Sequence, residues 1–323
     1  MRCQVGITVQ YLKYSQCMFT FLMQSILCPI CKKPIRINPF SSVCSGGHVF
    51  PVRDGILDLL HDVNDSVLIN EEEHWNNVAS QGRMNIVPNQ YISSRIFKDY
   101  QETFAECIKA AWVETHPEHI VIADIGCGTG SAITYLEKIK SLDVDYTGID
   151  LSIKIMRMRK TSGKIFPTNW KIRFIRASAN IGIFEDNSLD VVFSASALHH
   201  LQLPSAIEWI SKSLKPNGVL ILHEPSMGNP FAKIGRKLVR DFHTKGEKPL
   251  LPGHVEELAK KHNLVLIYSK GLHYVTGSLQ YLDAIVKLPF AFMYCAYQVS
   301  KFLDTLVKSP SWNYSFVQVY RKI

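Results

Sequence analysis

The stretch Ile120-Val-Ile-Ala-Asp-Ile-Gly-Cys-Gly-Thr-Gly130 constrains this 323-residue chain more than any other. Its apolar run through Ile122 predicts a strand covered on both faces, as parallel strands are. The run leads straight into Gly126, Gly128 and Gly130. Glycines at a strand-to-helix turn permit a tight bend and let the backbone approach a ligand that a Cβ would repel. Asp124 falls at the strand's carboxyl end, the edge where open α/β sheets bind their ligands. The glycine order is G-x-G-x-G, with no phosphate-binding Lys or Ser/Thr in Walker order behind it, so a triphosphate loop is not indicated.

The rest of the second half falls into alternating strands and helices. After a crossover helix over 131–139, Tyr146–Asp150 predicts the second strand, ending in an acid about 20 residues past the glycines, where a carboxylate can accept hydrogen bonds from both ribose hydroxyls. A helix over 153–160, a third strand at Trp170–Arg176 and a fourth at Asp190–Ser194 follow. Next come a helix over 204–214, a turn at Leu214–Gly218, a fifth strand at Val219–Leu222, a helix over 254–262 and a sixth strand at Leu264–Tyr268. Phe316–Tyr320 reads as an antiparallel last strand. The expected fold is therefore α/β, a seven-stranded, doubly wound Rossmann-like sheet.

Ala123–Gly130 resembles motif I of the class I S-adenosylmethionine-dependent methyltransferases, and Asp150-Leu151-Ser152 looks like motif II of that family. The resemblance covers 90–323 and implies S-adenosyl-L-methionine as cofactor. It implies cofactor contacts from Asp124, Gly126, Cys127, Gly128, Thr129, Gly130, Asp150, Leu151, Ser178, Ala179 and Ser194. Ser178 stands where many members carry an aspartate toward the adenine amino group; it can hydrogen-bond but brings no charge. His199 and His200 follow the fourth strand and Glu224 ends the fifth. A histidine there can relieve an acceptor hydroxyl of its proton, with local packing as the plainer alternative; Glu224 is a second candidate base or an exposed turn acid. The Asn-Pro-Pro-Tyr motif of amino-directed DNA and protein methyltransferases is missing, whereas Lys215-Pro-Asn-Gly218 is similar to the segment before strand five in small-molecule and lipid methyltransferases.

Upstream, Cys28-Pro-Ile-Cys31 and Cys44-x3-His48 form two close pairs of soft or borderline ligands, a set that can close a tetrahedral structural Zn2+ site. Ser45-Gly46-Gly47 breaks a helix, so a β-ribbon fits better than a finger, and so small a unit needs a metal staple. Val49–Leu60 resembles the end of the zinc-ribbon family that partners methyltransferases acting on tRNA and release factors, although His48 replaces a cysteine there; it is also similar to the zinc module of ribosomal RNA guanine methyltransferases. The expected domains are an extension at 1–22 (ordered or not), a zinc ribbon at 23–62, a linker with a short helix over 71–79 at 63–89, and a methyltransferase domain at 90–323 opened by a helix over 91–115 and carrying helical cap insertions at 228–248 and 277–308.

Composition leaves the acceptor open. Net charge is +8, concentrated in eight basic and no acidic residues over 151–176 and in a second patch over 231–248; such patches attract RNA or acidic lipid, or are solvated helix faces. Unpaired cysteine usage points to a reducing, cytoplasmic setting. The uncharged stretch Leu288–Tyr297 is too short to span a bilayer but suits a buried cap, a greasy lid or an interfacial anchor for peripheral membrane contact. The leading expectation is a small-molecule or lipid-like acceptor; the alternative is an rRNA or tRNA methyltransferase that uses its ribbon and basic faces. The oligomeric state is not legible in the sequence.

Overall fold

The computed structural model describes residues 26–38, 40–61, 64–80, 90–111, 118–130, 132–136, 139, 141–160, 167–238, 247–279 and 289–323. The 1–22 extension, 81–89 of the expected linker, the end of the 91–115 helix, most of 239–248 and the start of the 277–308 insertion lie outside the described residues.

The strands in chain order are β1 (Ile35–Arg36), β2 (Ser41–Cys44), β3 (Val49–Arg53), β4 (Ile56–Asp58), β5 (His119–Ile125), β6 (Asp143–Asp150), β7 (Trp170–Arg176), β8 (Leu189–Ala195), β9 (Leu214–Pro225), β10 (Leu264–Leu272) and β11 (Ser315–Lys322). They form one sheet in the order β1-β2-β3-β4-β7-β6-β5-β8-β9-β11-β10. β11 runs antiparallel between β9 and β10, while β4, β7, β6, β5, β8 and β9 are mutually parallel. Because side chains alternate along a strand, each strand feeds both layers of core. Ala123, Ile125, Leu220 and Leu222 pack on one face; Ile120, Ile122, Val219 and Ile221 pack on the other.

Among the described residues the sheet has eleven strands rather than the seven expected. The reason lies in Ile56–Asp58, which closes the cysteine-bearing unit and pairs in parallel with Phe174–Arg176. Ile56 and Leu57 are thereby buried, and the four N-terminal strands extend the sheet past β7. The unit is also tied to the 182–184 loop: Leu27 N–H donates to Ile183 O at 2.7 Å and Lys32 Nζ to Gly182 O at 3.0 Å.

Two further expectations change. Leu214–Gly218 is the start of β9 and not a separate turn. Lys215 Nζ lies 2.9 Å from both carboxylate oxygens of Asp190, and a Cβ on Gly218 would stand 2.9–3.2 Å from backbone atoms of Lys215 and Leu189. The helix expected over 71–79 spans Ser66–Ser80. It begins early because Asp65 Oδ1 accepts from Val67 N–H at 2.8 Å and Leu68 N–H at 3.3 Å, acting as an N-cap.

Candidate active site

At the carboxyl ends of β5, β6 and β7 lies a cavity of about 400 Å³, within the roughly 300–1,000 Å³ range of small-molecule sites. Its inner wall is the glycine turn. Gly126 takes φ 65° and Gly128 φ 53°, and a Cβ on Gly126 would collide with that of Ala197. Asp150 lies beside the turn, its Oδ2 accepting from Gly128 N–H and its Oδ1 from Ser152 N–H, both at 2.9 Å. Burial pushes the Asp150 carboxyl up, against the pull of those amide donors. Each oxygen keeps a second lone pair, so ribose hydroxyls can still be accepted. Leu151, Ser178 and Ala179 also line the cavity. The residues present therefore fit the adenosyl cofactor: glycines clear room for it and a carboxylate stands at the wall.

Among the described residues, Asp124, Cys127, Thr129, Gly130 and Ser194 do not line this cavity. Asp124 is buried and accepts the hydroxyl of Tyr146. Cys127 is buried with its thiol pushed well up by burial, and Gly130 N–H closes the turn onto Cys127 O at 2.8 Å. Ser194 Oγ faces Glu224 Oε1 at 3.4 Å.

The outer wall comes from the Ser66–Ser80 helix through Val67, Leu68, Glu71 and Trp75. Glu71 Oε1 accepts from Trp75 Nε1 at 3.0 Å and pairs with His200 Nδ1 at 3.1 Å. The Trp75 and His200 rings meet edge-on at 5.7 Å. Although burial opposes it, these hydrogen bonds hold the Glu71 carboxyl below its ordinary value. The helix is anchored from beneath: Ser152 Oγ donates to Asn76 Oδ1 at 2.7 Å, and Arg176 bridges Glu72 and the β4 residue Asp58. Sequence reading missed Glu71 and Trp75 as wall residues. The available signal was the apolar Val67, Leu68 and Trp75 following a capping Asp65 in a stretch otherwise polar enough for a linker.

His200 reaches the cavity, whereas His199 sits behind it. Its Nδ1 lies 2.7 Å from Glu224 Oε2, and Glu224 Oε1 accepts from Leu198 N–H at 2.8 Å and Ala197 N–H at 3.1 Å. Glu224 is fully buried, not an exposed turn acid. Burial alone would raise its carboxyl; the His199 and Leu198 donors bring it below the ordinary value. It holds the 197–199 backbone and one imidazole in place.

In the N-terminal unit the four expected ligands converge. Cys28 Sγ lies 3.6 Å from His48 Nδ1, Cys31 Sγ 3.6 Å from Cys44 Sγ, and Cys44 Sγ 3.3 Å from His48 Nδ1. A tetrahedral zinc with bonds of about 2.0–2.3 Å sets its donors roughly 3.3–3.8 Å apart, so the donor set and spacing fit that ion.

Among the described residues, several basic side chains of the 151–176 patch have partners within the chain. Arg157 pairs with Asp54 at 2.7 Å and Lys171 with Asp145 at 3.6 Å. Arg159 lies 4.5 Å over the Phe174 ring. Arg173 donates to Thr147 Oγ1 at 2.9 Å, its guanidinium lowered to about 10 by burial.

Residues 123–222 match the family model described as a methyltransferase domain. Phosphoethanolamine N-methyltransferase 3 of Arabidopsis thaliana is 28% identical over 189 residues, 52% of this chain and 38% of the plant protein. The ubiquinone biosynthesis O-methyltransferase of Colwellia psychrerythraea is 26% identical over 175 residues, 51% of this chain and 69% of that one. The chain spans only 33% to 38% of the length of the first curated relatives it matches. Magnesium protoporphyrin IX methyltransferase of Synechocystis, solved with bound SAH, shares the fold at a TM-score of 0.50 and 13% identity, over 79% of this chain and 99% of that one. Residues 123–222 are thus similar in sequence to a methyltransferase domain, and the chain shares the fold of a solved methyltransferase.

Proposed function

We propose that this protein transfers the methyl group of S-adenosyl-L-methionine to a small-molecule or lipid-like acceptor. The observation that carries the reading is the cavity with the glycine turn and Asp150 on one wall and the Ser66–Ser80 helix on the other. The cofactor supplies an electrophilic methyl; the chain's residues bind, orient and exclude water, and proximity provides much of the rate. Gly126, Gly128, Asp150, Leu151, Ser178 and Ala179 are the proposed cofactor contacts within the cavity, with Asp124, Cys127, Thr129, Gly130 and Ser194 supporting them from behind. His199 and His200, held by Glu224 and Glu71, are the groups that would act on the acceptor atom.

Named relatives act on phosphoethanolamine and in ubiquinone biosynthesis, which supports a small acceptor here. The pairing of Arg157, Lys171 and Arg173 within the fold weakens the RNA alternative, since a nucleic-acid face needs cations available to phosphates. A lipid-like acceptor, and peripheral contact with a membrane, draw support from the Phe290–Leu306 helix, which exposes Phe290, Phe292, Phe302 and Leu306. No helix among the described residues is long and apolar enough to cross a membrane. In the same reading a structural Zn2+ sits on Cys28, Cys31, Cys44 and His48.

Transfer of labelled methyl from S-adenosylmethionine into cell extract, split into RNA, protein and solvent-soluble fractions, tests the acceptor class. Label in the solvent-soluble or small-molecule fraction is expected; label in RNA overturns the reading. Elemental analysis of the purified protein is expected to find zinc that is lost in Cys28→Ser/Cys31→Ser.

A further inference from the structure

Two histidines, each fixed through one ring nitrogen by a carboxylate, stand beside a third acid, His200 at the cavity wall and His199 behind it. His199 Nδ1 is 2.7 Å from Glu224 and His200 Nδ1 is 3.1 Å from Glu71. Their rings lie 4.1 Å apart. Glu247, nearly buried, brings an oxygen to 3.8 Å from His199 Nε2. That separation is too long for a hydrogen bond, yet it is close to the span of two metal–ligand bonds of about 2.0–2.2 Å meeting at an open angle. One ligand atom each from His199, His200 and Glu247 lie within 4.8 Å of one another.

We propose that His199, His200 and Glu247 form a divalent transition-metal site at the edge of the cavity, separate from the cysteine site. Three observations point the same way. The donor set, two imidazoles and one carboxylate, is one that holds zinc, iron or manganese while leaving coordination positions open. Both imidazoles carry the carboxylate partner that fixes tautomer and ring orientation in metal-ligating histidines. Charge agrees: Glu71, Glu224 and Glu247 gather around the two rings, while Lys248 is the lysine that lines the cavity, so the cluster has an acidic excess when the imidazoles are neutral. The ion would take an acceptor oxygen in an open position and stabilise its deprotonated form as it is methylated. That role rests on the methyl-transfer reading; metal binding itself does not.

The test uses the full chain, stripped with a chelator and titrated with Co2+, following metal stoichiometry and the visible spectrum. Thiolate ligation at the cysteine site gives intense near-ultraviolet charge transfer; the His/Glu site adds ligand-field bands without it. The wild type is expected to bind two ions per chain. Glu247→Gln should lose the second set of bands and keep the first, and Glu71→Gln should weaken that second ion by about 10- to 100-fold. Melting temperatures are recorded for each variant, and His200→Gln serves where Glu247→Gln does not fold. Binding at the cysteine site only, with wild type and Glu247→Gln alike, overturns the metal proposal while leaving cofactor binding intact. Failure of S-adenosylmethionine to bind a protein that holds both ions would instead remove the transfer reading and leave the metal site standing.

Discussion

The two walls of the cavity are built on opposite plans. The inner wall is backbone: Gly126 and Gly128 in left-handed conformation, with a carboxylate locked between two amides a short distance along the chain. The outer wall is side chain, assembled from Glu71 and Trp75 on one segment and His200 on another far along the chain. The backbone wall resists added atoms, by collision with Ala197 at Gly126 and by left-handed backbone at Gly128. A side-chain wall can lose a bond and re-pack. The inner wall is suited to a fixed cofactor, and the outer wall is the one that can differ from one acceptor to another.

The sharpest way to break this contrast is to add bulk to each wall. Gly126→Val places a branched side chain at φ 65° and against Ala197. Strain and overpacking together should cost about 3 kcal/mol or more, read as a lower denaturant midpoint. Glu71→Gln removes only charge from a half-buried pair; a stability loss of about 1 kcal/mol is expected, with cofactor affinity little changed. Equal losses in the two variants would erase the distinction.

Acid sharpens the comparison, because the carboxyls of the two walls shift in opposite directions. Glu71 is held below its ordinary 4.5, so its contribution to stability is present above that value and is lost as pH falls through the depressed folded value. Asp150 is raised above its ordinary 3.8 by burial. Its ionised form opposes folding at neutral pH, and on acidification it protonates before an unshifted aspartate would. Acid should therefore weaken cofactor affinity as Asp150 protonates and, as a separate event, break the Glu71–His200 pair. Calorimetric titration for the first and the Trp75 fluorescence of a single-tryptophan variant for the second would follow the two events. Cofactor affinity that stays constant through the acid range would contradict the assignment of Asp150 to the binding wall.

The same contrast explains what could be read from the sequence. The inner wall is local: an apolar strand, a glycine turn and an acid at the next strand's end all lie within 120–150, and spacing alone places them at one edge of the sheet. The third strand, Trp170–Arg176, was legible for the same reason. The outer wall depends on a contact between 71 and 200 that no periodicity reports, and polar composition made its helix look like a linker. Ile56–Asp58 was missed as a sheet strand because three residues carry too little pattern. Glu224 looked equally suited to a base or an exposed acid; only the geometry shows both its oxygens engaged. Arg173 and Arg176 read as surface charge, since their partners Thr147, Asp58 and Glu72 lie on other elements.

The most direct test is calorimetric titration of S-adenosylmethionine into the wild type and Asp150→Ala. Saturable binding to the wild type, weakened in the variant by about 2–3 kcal/mol or roughly 30- to 150-fold, is the predicted result. No binding to the folded wild type, or equal affinity in the variant, would contradict the assignment of this cavity to the methyl-donating cofactor.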